Sequence, residues 1–245
     1  MEFLIMIMMF NMLVPQIFSQ VNDYHIMQFV LGWNPSFCSK PDTKSCVNPV
    51  PENFTIHGLW PANAYANSLY LKMPTSWKEK QDLKNDMALL NQDQNLVNSL
   101  HHVWPSVVPK FPAELFWRHE WAKHGFGIRA QIDVKTYFEA ATRIHDTMIA
   151  INGKTNLKGY FTGVGIQPGK SVTVRQLGRA LNPLVNGIDI RCYNNGTHNF
   201  LLEVIFCLDK SSLYSFISCQ RAYRRTGLVQ LTRSCDPNDP LYLPS

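Results

Sequence analysis

Between Phe116 and Gly125 the chain reads Phe-Trp-Arg-His-Glu-Trp-Ala-Lys-His-Gly, which sets His119, Glu120, Lys123 and His124 inside six consecutive positions. Two imidazoles, a carboxylate and an ammonium group at that density are rare on a solvated face, and a buried face does not hold them unpaired. At about 100° per residue the four fall within roughly one 140° arc of a helix, so all can face one cleft. Trp117 and Trp121 fall outside that arc, where they can pin the helix to a core. Gly125 follows as a residue that commonly stops a helix.

Two chemistries compete for this stretch. His119-Glu120 followed by a further histidine looks like the zinc-protease pattern H-E-x-x-H, whose histidines sit one helical turn apart. Lys123 occupies the position one turn on, and His124 comes one residue too late, so spacing and charge both oppose a metal. The other chemistry is metal-free acid–base catalysis on an anion. An imidazole with a free pKa of about 6.5 is poised to move protons, and an adjacent lysine suits a phosphate in the transition state. A second histidine completes the pair. Phe54-Thr55-Ile56-His57-Gly58-Leu59-Trp60-Pro61 begins as an alternating, β-branched strand and ends at Gly and Pro, which places His57 near a strand end beside a large aromatic.

These two segments, FTIHGLWP and FWRHEWAKHG, resemble the two active-site segments of the T2 family of secreted acid ribonucleases, in the family's order. Val30-Leu31-Gly32-Trp33, Val103-Trp104-Pro105 and the cysteine-rich end extend the resemblance over nearly the whole chain after its leader. The resemblance implies a single-domain α+β fold with a central antiparallel sheet flanked by helices. It implies His57 as general acid and His124 as general base, with His119 and Lys123 on the scissile phosphate and Glu120 assisting. Trp60 would pack near the ribose or phosphate, Phe116 would stack on a base, and Ser106 and Val107 would line the base pocket. The ribose 2′-hydroxyl would attack its own phosphate to give a 2′,3′-cyclic product from single-stranded RNA, with no metal or other cofactor. The family often carries Gln directly before the first-strand Trp; here that position is Gly32, so base preference does not carry over.

The elements that must position these residues are legible in outline. Residues 3–14 are apolar except for Asn11, too short for a membrane span but suited to the core of a secretion signal. Residues 1–20 are therefore read as a signal peptide cleaved near Ser19, and 21–245 as the ribonuclease-like domain. Glu2 departs from the usual basic start of such a leader. The mature chain is expected outside the cell as a monomer with no membrane attachment. Tyr24 to Trp33 reads as a strand and 61–75 as a polar loop. Helical spacing dominates from Trp77 to His102 and again from Ile132 to Ile151, and Leu201 to Leu208 reads as a buried strand with Glu203 inside it. His101, His102 and His145 are read as bystanders. The glycine-rich run Gly163–Ser171 fails as a phosphate loop, because Val164 stands where the P-loop needs glycine.

Six cysteines in a secreted chain suggest three disulfides, and sequence alone allows about fifteen pairings. Cys38 and Cys46 look like a local clasp. The resemblance implies a nested pair at the end, Cys192–Cys235 enclosing Cys207–Cys219. The family's second segment usually continues H-G-T-C, whereas this chain reads His124-Gly125-Phe126-Gly127, and no cysteine lies between Cys46 and Cys192. One staple near the catalytic helix is deleted whole, at a cost of about 2–4 kcal/mol by loop entropy, with Phe126 placed to return part by burial. Asn53-Phe54-Thr55 and Asn195-Gly196-Thr197 are glycosylation sequons.

The net charge is +5, and it rises to +6 once Glu2 leaves with the leader. Within the family, a basic balance resembles the stylar self-incompatibility ribonucleases of flowering plants, which implies recognition by pollen F-box proteins through variable loops. Alternatives are a defence or phosphate-scavenging ribonuclease, or a non-catalytic binding protein on the same fold. The complete set His57, His119, Glu120, Lys123 and His124 argues against the last, since recognition alone has no need of it. Arg221, Arg224 and Arg225 near Tyr223 are read as a solvated face ahead of an RNA contact.

Overall fold

The computed structural model describes residues 24–43, 45–150, 156–181, 187–219, 229–231, 235 and 240–245. The leader 1–20, its cleavage point and the arginine cluster at 221–225 lie outside the described residues. In chain order the elements are β1 (Ile26–Trp33), α1 (Asn34–Cys38), β2 (Phe54–Ala62), α2 (Trp77–Gln92), α3 (Gln94–Val103) and α4 (Ala113–Glu120). A π-helical turn (Trp121–Gly125) and a 3₁₀ turn (Phe126–Ile128) extend α4. Then follow α5 (Val134–Ala150), α6 (Leu157–Gly163), β3 (Lys170–Val172), α7 (Val174–Leu181), β4 (Ile188–Asn194), β5 (Asn199–Asp209), β6 (Ser212–Ile217), β7 (Val229–Leu231) and β8 (Leu241–Leu243).

The sheet runs β2-β1-β5-β4-β7, with β6 and β8 also on β5 and β3 on β8. Its centre is antiparallel as expected. Two marginal pairings, β4 with β7 and β5 with β8, are parallel. The sheet is therefore mixed at its margins, where the C-terminal part of the chain, tied to β4 by Cys192–Cys235, runs back alongside β4 and β5. Side chains alternate across the pleat. Met27, Phe29, Leu31 and Trp33 of β1 enter the large core with Phe54, Ile56 and Leu59 of β2 and Val204, Phe206 and Leu208 of β5. The opposite face carries a small apolar island, Val30, Trp60 and Ile205, among polar neighbours. That second face holds the chemistry.

The long helical stretch predicted over 77–102 is two helices. Asp93 ends α2 and caps α3, its carboxylate accepting from Leu96 N at 3.1 Å. Ser76 and Glu79 form a reciprocal capping box at the start of α2. Leu83, Met87 and Leu90 of α2 and Leu96, Leu100 and Val103 of α3 supply the buried stripe. The expected helix over 132–151 is α5, started by Asp133, which accepts from Thr136 N at 2.9 Å. The cysteines are bonded as 38–46, 192–235 and 207–219.

Candidate active site

β2 does not end at Gly58 as its sequence suggests; it continues through Pro61 to Ala62, at the edge of the central strand order. Pro is tolerated on an edge because no ladder partner there needs its missing N–H. The register instead slips at His57: Val30 faces Gly58 while Leu31 faces Ile56, leaving His57 as the extra residue of a bulge. Without that slip, period-2 alternation would turn Trp60 to the face occupied by Ile56. With it, His57 and Trp60 share the polar face, their rings 5.0 Å apart and edge to face. Glycine is needed at 58 because a Cβ there would fall 2.0 Å from Trp60 Nε1 and 2.6 Å from Glu120 Oε2.

His57 is anchored by a residue two strands away. Its Nδ1 donates to Glu203 Oε1. Glu203 pairs with Gly32 on β1 and with Arg191 on β4. Because β1 presents a glycine at that level, no side chain stands between the ring and the carboxylate; the nearest atom a Cβ on Gly32 would meet is His57 Cβ at 4.0 Å. Arg191 donates to Glu203 Oε2 at 3.2 Å and to Ser68 Oγ at 2.8 Å, and its guanidinium lies 4.7 Å from the Trp60 ring centroid. Burial opposes a charged His57, but Glu203 and Glu120 outweigh it and raise the ring's pKa above 6.5. Burial likewise opposes an ionised Glu203, and His57 with Arg191 reverse that and lower its pKa.

The second segment begins as α4 but widens into a π turn at Trp121–Gly125, a distortion that recurs at functional sites. Gly125 does not stop the helix, which runs on through the 3₁₀ turn to Ile128. Its role is clearance: a Cβ there would lie 1.9 Å from the Trp121 ring. The two tryptophans pin the segment as expected, Trp117 Nε1 donating to Trp104 O at 2.8 Å and Trp121 Nε1 to Asp86 Oδ2 at 3.0 Å. The four polar residues split by depth. Glu120 and His124 are buried, Lys123 is half-buried and His119 is exposed.

Glu120 is the hub. Its Oε2 accepts from Trp60 Nε1 at 2.7 Å and lies 3.8 Å from His124 Nε2, while its Oε1 lies 3.9 Å from His57 Nε2. Burial raises its pKa against the pull of His57, Trp60, His119 and Lys123. His124 stacks on Trp60 at 4.9 Å and 26°, and neither of its ring nitrogens makes a hydrogen bond of normal geometry. Burial first, then Lys123, push its pKa down to about 3.

Phe116 lies 5.7 Å from His57 and 6.2 Å from Phe111, which in turn lies 6.3 Å from His119. Phe111 thus joins the aromatic wall although no periodicity marks it. Tyr70, 71% exposed, covers His124 at 5.8 Å and carries Lys123 Nζ 4.7 Å from its ring centroid. Its loop is tied to the second segment by Leu71 N donating to Lys123 O at 3.1 Å. Ser106 Oγ accepts from Val108 N at 3.2 Å, and the Val107 carbonyl is taken by Val47 N at 2.8 Å, so the Cys38–Cys46 clasp buttresses that stretch. Where the deleted staple would lie, Leu71 packs directly on Gly127: a Cβ at Gly127 would fall 3.0 Å from Leu71 Cβ. Phe126 is also buried. Among the described residues no three His, Cys, Asp or Glu side chains converge as a metal-binding group.

Two imidazoles on separate segments, either side of one buried carboxylate and beside a lysine, form a centre that can move protons at both ends of an anionic ester. The comparisons with known proteins agree. The Ribonuclease T2 family model matches residues 24–219, and the chain belongs to that family. Ribonuclease S-3 of Pyrus pyrifolia is 28% identical over 226 residues, 89% of this chain and 92% of that one. Ribonuclease 1 of Arabidopsis thaliana is 29% identical over 210 residues, 81% and 83% of the two chains. The structure of ribonuclease MC1 from bitter gourd seeds superposes with a TM-score of 0.66 at 21% identity, over 89% of this chain and all of that one. The chain is a metal-independent endoribonuclease of the T2 type.

Proposed function

We propose that this enzyme cleaves single-stranded RNA by transphosphorylation, with His57 and His124 at opposite ends of the reacting phosphodiester. The observation that carries this reading is their asymmetry around Glu120: one ring anchored on Glu203, which raises its pKa, the other buried against Trp60 with its pKa pushed down to about 3. His124 takes the proton of the ribose 2′-hydroxyl as that oxygen attacks phosphorus. His57 gives its Nε2 proton to the departing 5′-oxygen, and Glu203 stabilises the charged ring beforehand. Lys123 supplies positive charge, and His119 a hydrogen-bond contact, to the phosphoryl oxygens as negative charge builds there. Trp60 holds Glu120 and walls the ribose; Phe116 and Phe111 give the base a stacking surface beside Ser106 and Val107. Tyr70 must turn aside for the ribose to reach His124, and in the free protein that breaks ring contacts alone.

Residues 1–20 act as the secretion signal, and Asn195, exposed in the β4–β5 turn, is the favoured sequon for a glycan. Asn53 is less open, its side-chain oxygen being buried. The basic charge supports a stylar self-incompatibility ribonuclease recognised by pollen F-box proteins; relatives with and without an S designation are equally similar, so charge alone supports this role. Substitution of His57→Ala or His124→Ala tests the chemistry. Loss of RNA cleavage with the fold retained is the expected result, near-normal activity in either variant refutes the roles given, and a cyclic phosphate must be the first product. Transcript confined to pistil supports the self-incompatibility role, and accumulation in phosphate-starved tissue overturns it.

A further inference from the structure

The acids of α2 gather on one face. Glu79, Asp82 and Asp86 share one arc, and each is engaged: Glu79 caps the helix through Ser76 N at 2.8 Å, Asp82 meets Arg129 at 2.7 Å, and Asp86 accepts from Trp121 at 3.0 Å. Trp77, Lys80 and Lys84 fall on another arc, at one-turn spacing. Among the described residues neither lysine has an ion-pair partner, nor does Arg118, which α4 contributes to the same groove. That groove, about 600 Å³, is lined by Trp77, Lys80, Lys84, Met87 and Arg118 together with uncharged residues, and no acid among the described residues enters it. Trp77 is 80% exposed, above every other exposed large apolar side chain described. A solvated indole beside three unpaired cations is the pairing that single strands use, cations for the phosphates and a ring for a base.

We infer that the α2–α4 groove is a second RNA-binding site, one that holds nucleotides flanking the bond being cut. Arg118 adjoins His119 in α4 but projects about 100° around the helix from it, so the groove lies on the neighbouring face of α4. The ligand is the single-stranded RNA substrate itself, outside its reacting dinucleotide. This inference rests on the ribonuclease reading for its biological sense, and its test is arranged to fail separately.

The variant Trp77→Ala/Lys80→Ala/Lys84→Ala is compared with wild type on a dinucleoside monophosphate and on a mixed-sequence RNA of about 20 nucleotides. The kcat/KM for the short substrate is expected to stay unchanged, while that for the long one falls at least about tenfold, mainly through KM. The salt slope of the long substrate is expected to drop by about 1.4, or roughly 0.7 for each lysine withdrawn from a phosphate. Lys80→Arg/Lys84→Arg should retain both. Binding of a DNA strand of the same length, which lacks the 2′-hydroxyl and is not cut, gives a readout independent of catalysis. An unchanged long-to-short ratio, salt slope and DNA affinity would overturn the second site. Wild-type protein that binds the strand but cuts neither RNA would sink the catalytic reading instead. Should the triple variant not fold, Lys80→Gln/Lys84→Gln decides by the same measurements.

Discussion

Arg191 and Glu203 face each other across β4 and β5, and the guanidinium donates to one carboxylate oxygen at 3.2 Å while the other oxygen holds His57. The proposed general acid, His57, is thus fixed from the middle of the sheet. Glu203→Gln should keep the fold and the RNA affinity but lower kcat at least about tenfold, since both the charge and the orientation of the ring are weakened. Three charged groups bear on His57: Glu203 from β5, Glu120 from α4 and Arg191 from β4. With Glu203 neutral the raised pKa must fall, so the alkaline limb of the rate profile should move to lower pH. A purely structural carboxylate would leave that limb in place, and Glu203→Asp should restore part of it.

The two imidazoles predict the whole pH profile. In the proposed roles His57 must be protonated, so activity falls as pH rises through its pKa, which lies above 6.5. His124 must be neutral, so activity falls only when pH drops through about 3. A bell with a broad acidic plateau follows. Tyr70→Ala admits water to His124, relieves the burial that depresses it and should shift the acid limb upward. Profiles of kcat/KM for both proteins check this; coincident acid limbs would contradict it.

His124 stores instability. A buried ring whose nitrogens make no hydrogen bond of normal geometry costs about 1–3 kcal/mol for each group so left, so His124→Phe, which keeps a ring on Trp60, should be more stable by at least about 1 kcal/mol while losing cleavage. Below about 6.5 the unfolded histidine binds a proton that the folded one refuses until about 3. Its contribution to wild-type stability therefore falls as pH drops through that window, by up to about 1.4 kcal/mol per unit. Urea denaturation at several pH values should show the variant's advantage widening toward acid. A gap that stays constant would contradict the buried neutral ring.

The residues proposed for catalysis were legible because they are local. His57, His119, Glu120, Lys123 and His124 lie in two short segments whose spacing carries meaning by itself. Glu203 was visible only as an acid inside an apolar run, since its partners His57 and Arg191 come from strands that meet it through pairing. Gly58 and Gly125 were read as terminators because glycine commonly ends elements, yet both serve ring clearance, which only packing reveals. Phe111 and Tyr70 sit in irregular segments, where no periodicity points inward. The antiparallel centre of the sheet was anticipated through resemblance; its parallel margins depend on where the C-terminal chain returns.

Leu71 and Gly127 offer a direct test of the missing staple. Their Cβ positions would lie 3.0 Å apart, about half an ångström below the lower end of the roughly 3.5–4.5 Å of disulfides. Leu71→Cys with Gly127→Cys should close a disulfide with a small backbone adjustment and add about 2–4 kcal/mol, against the loss of Leu71 burial. Mass spectrometry and non-reducing denaturation curves check the bond and its effect. Gly127→Ala alone should destabilise, because its methyl group meets Leu71.

The slipped residue at His57 has a consequence for reading and editing this chain. Specificity of placement here rests on counting rather than on side-chain identity. Lengthening β2 by one residue between Gly58 and Leu59 would leave every letter of the motif recognisable, yet it would send the indole inward and the leucine beside it outward. Glu120 would lose its donor, and a sequence still resembling a nuclease would encode an inert protein.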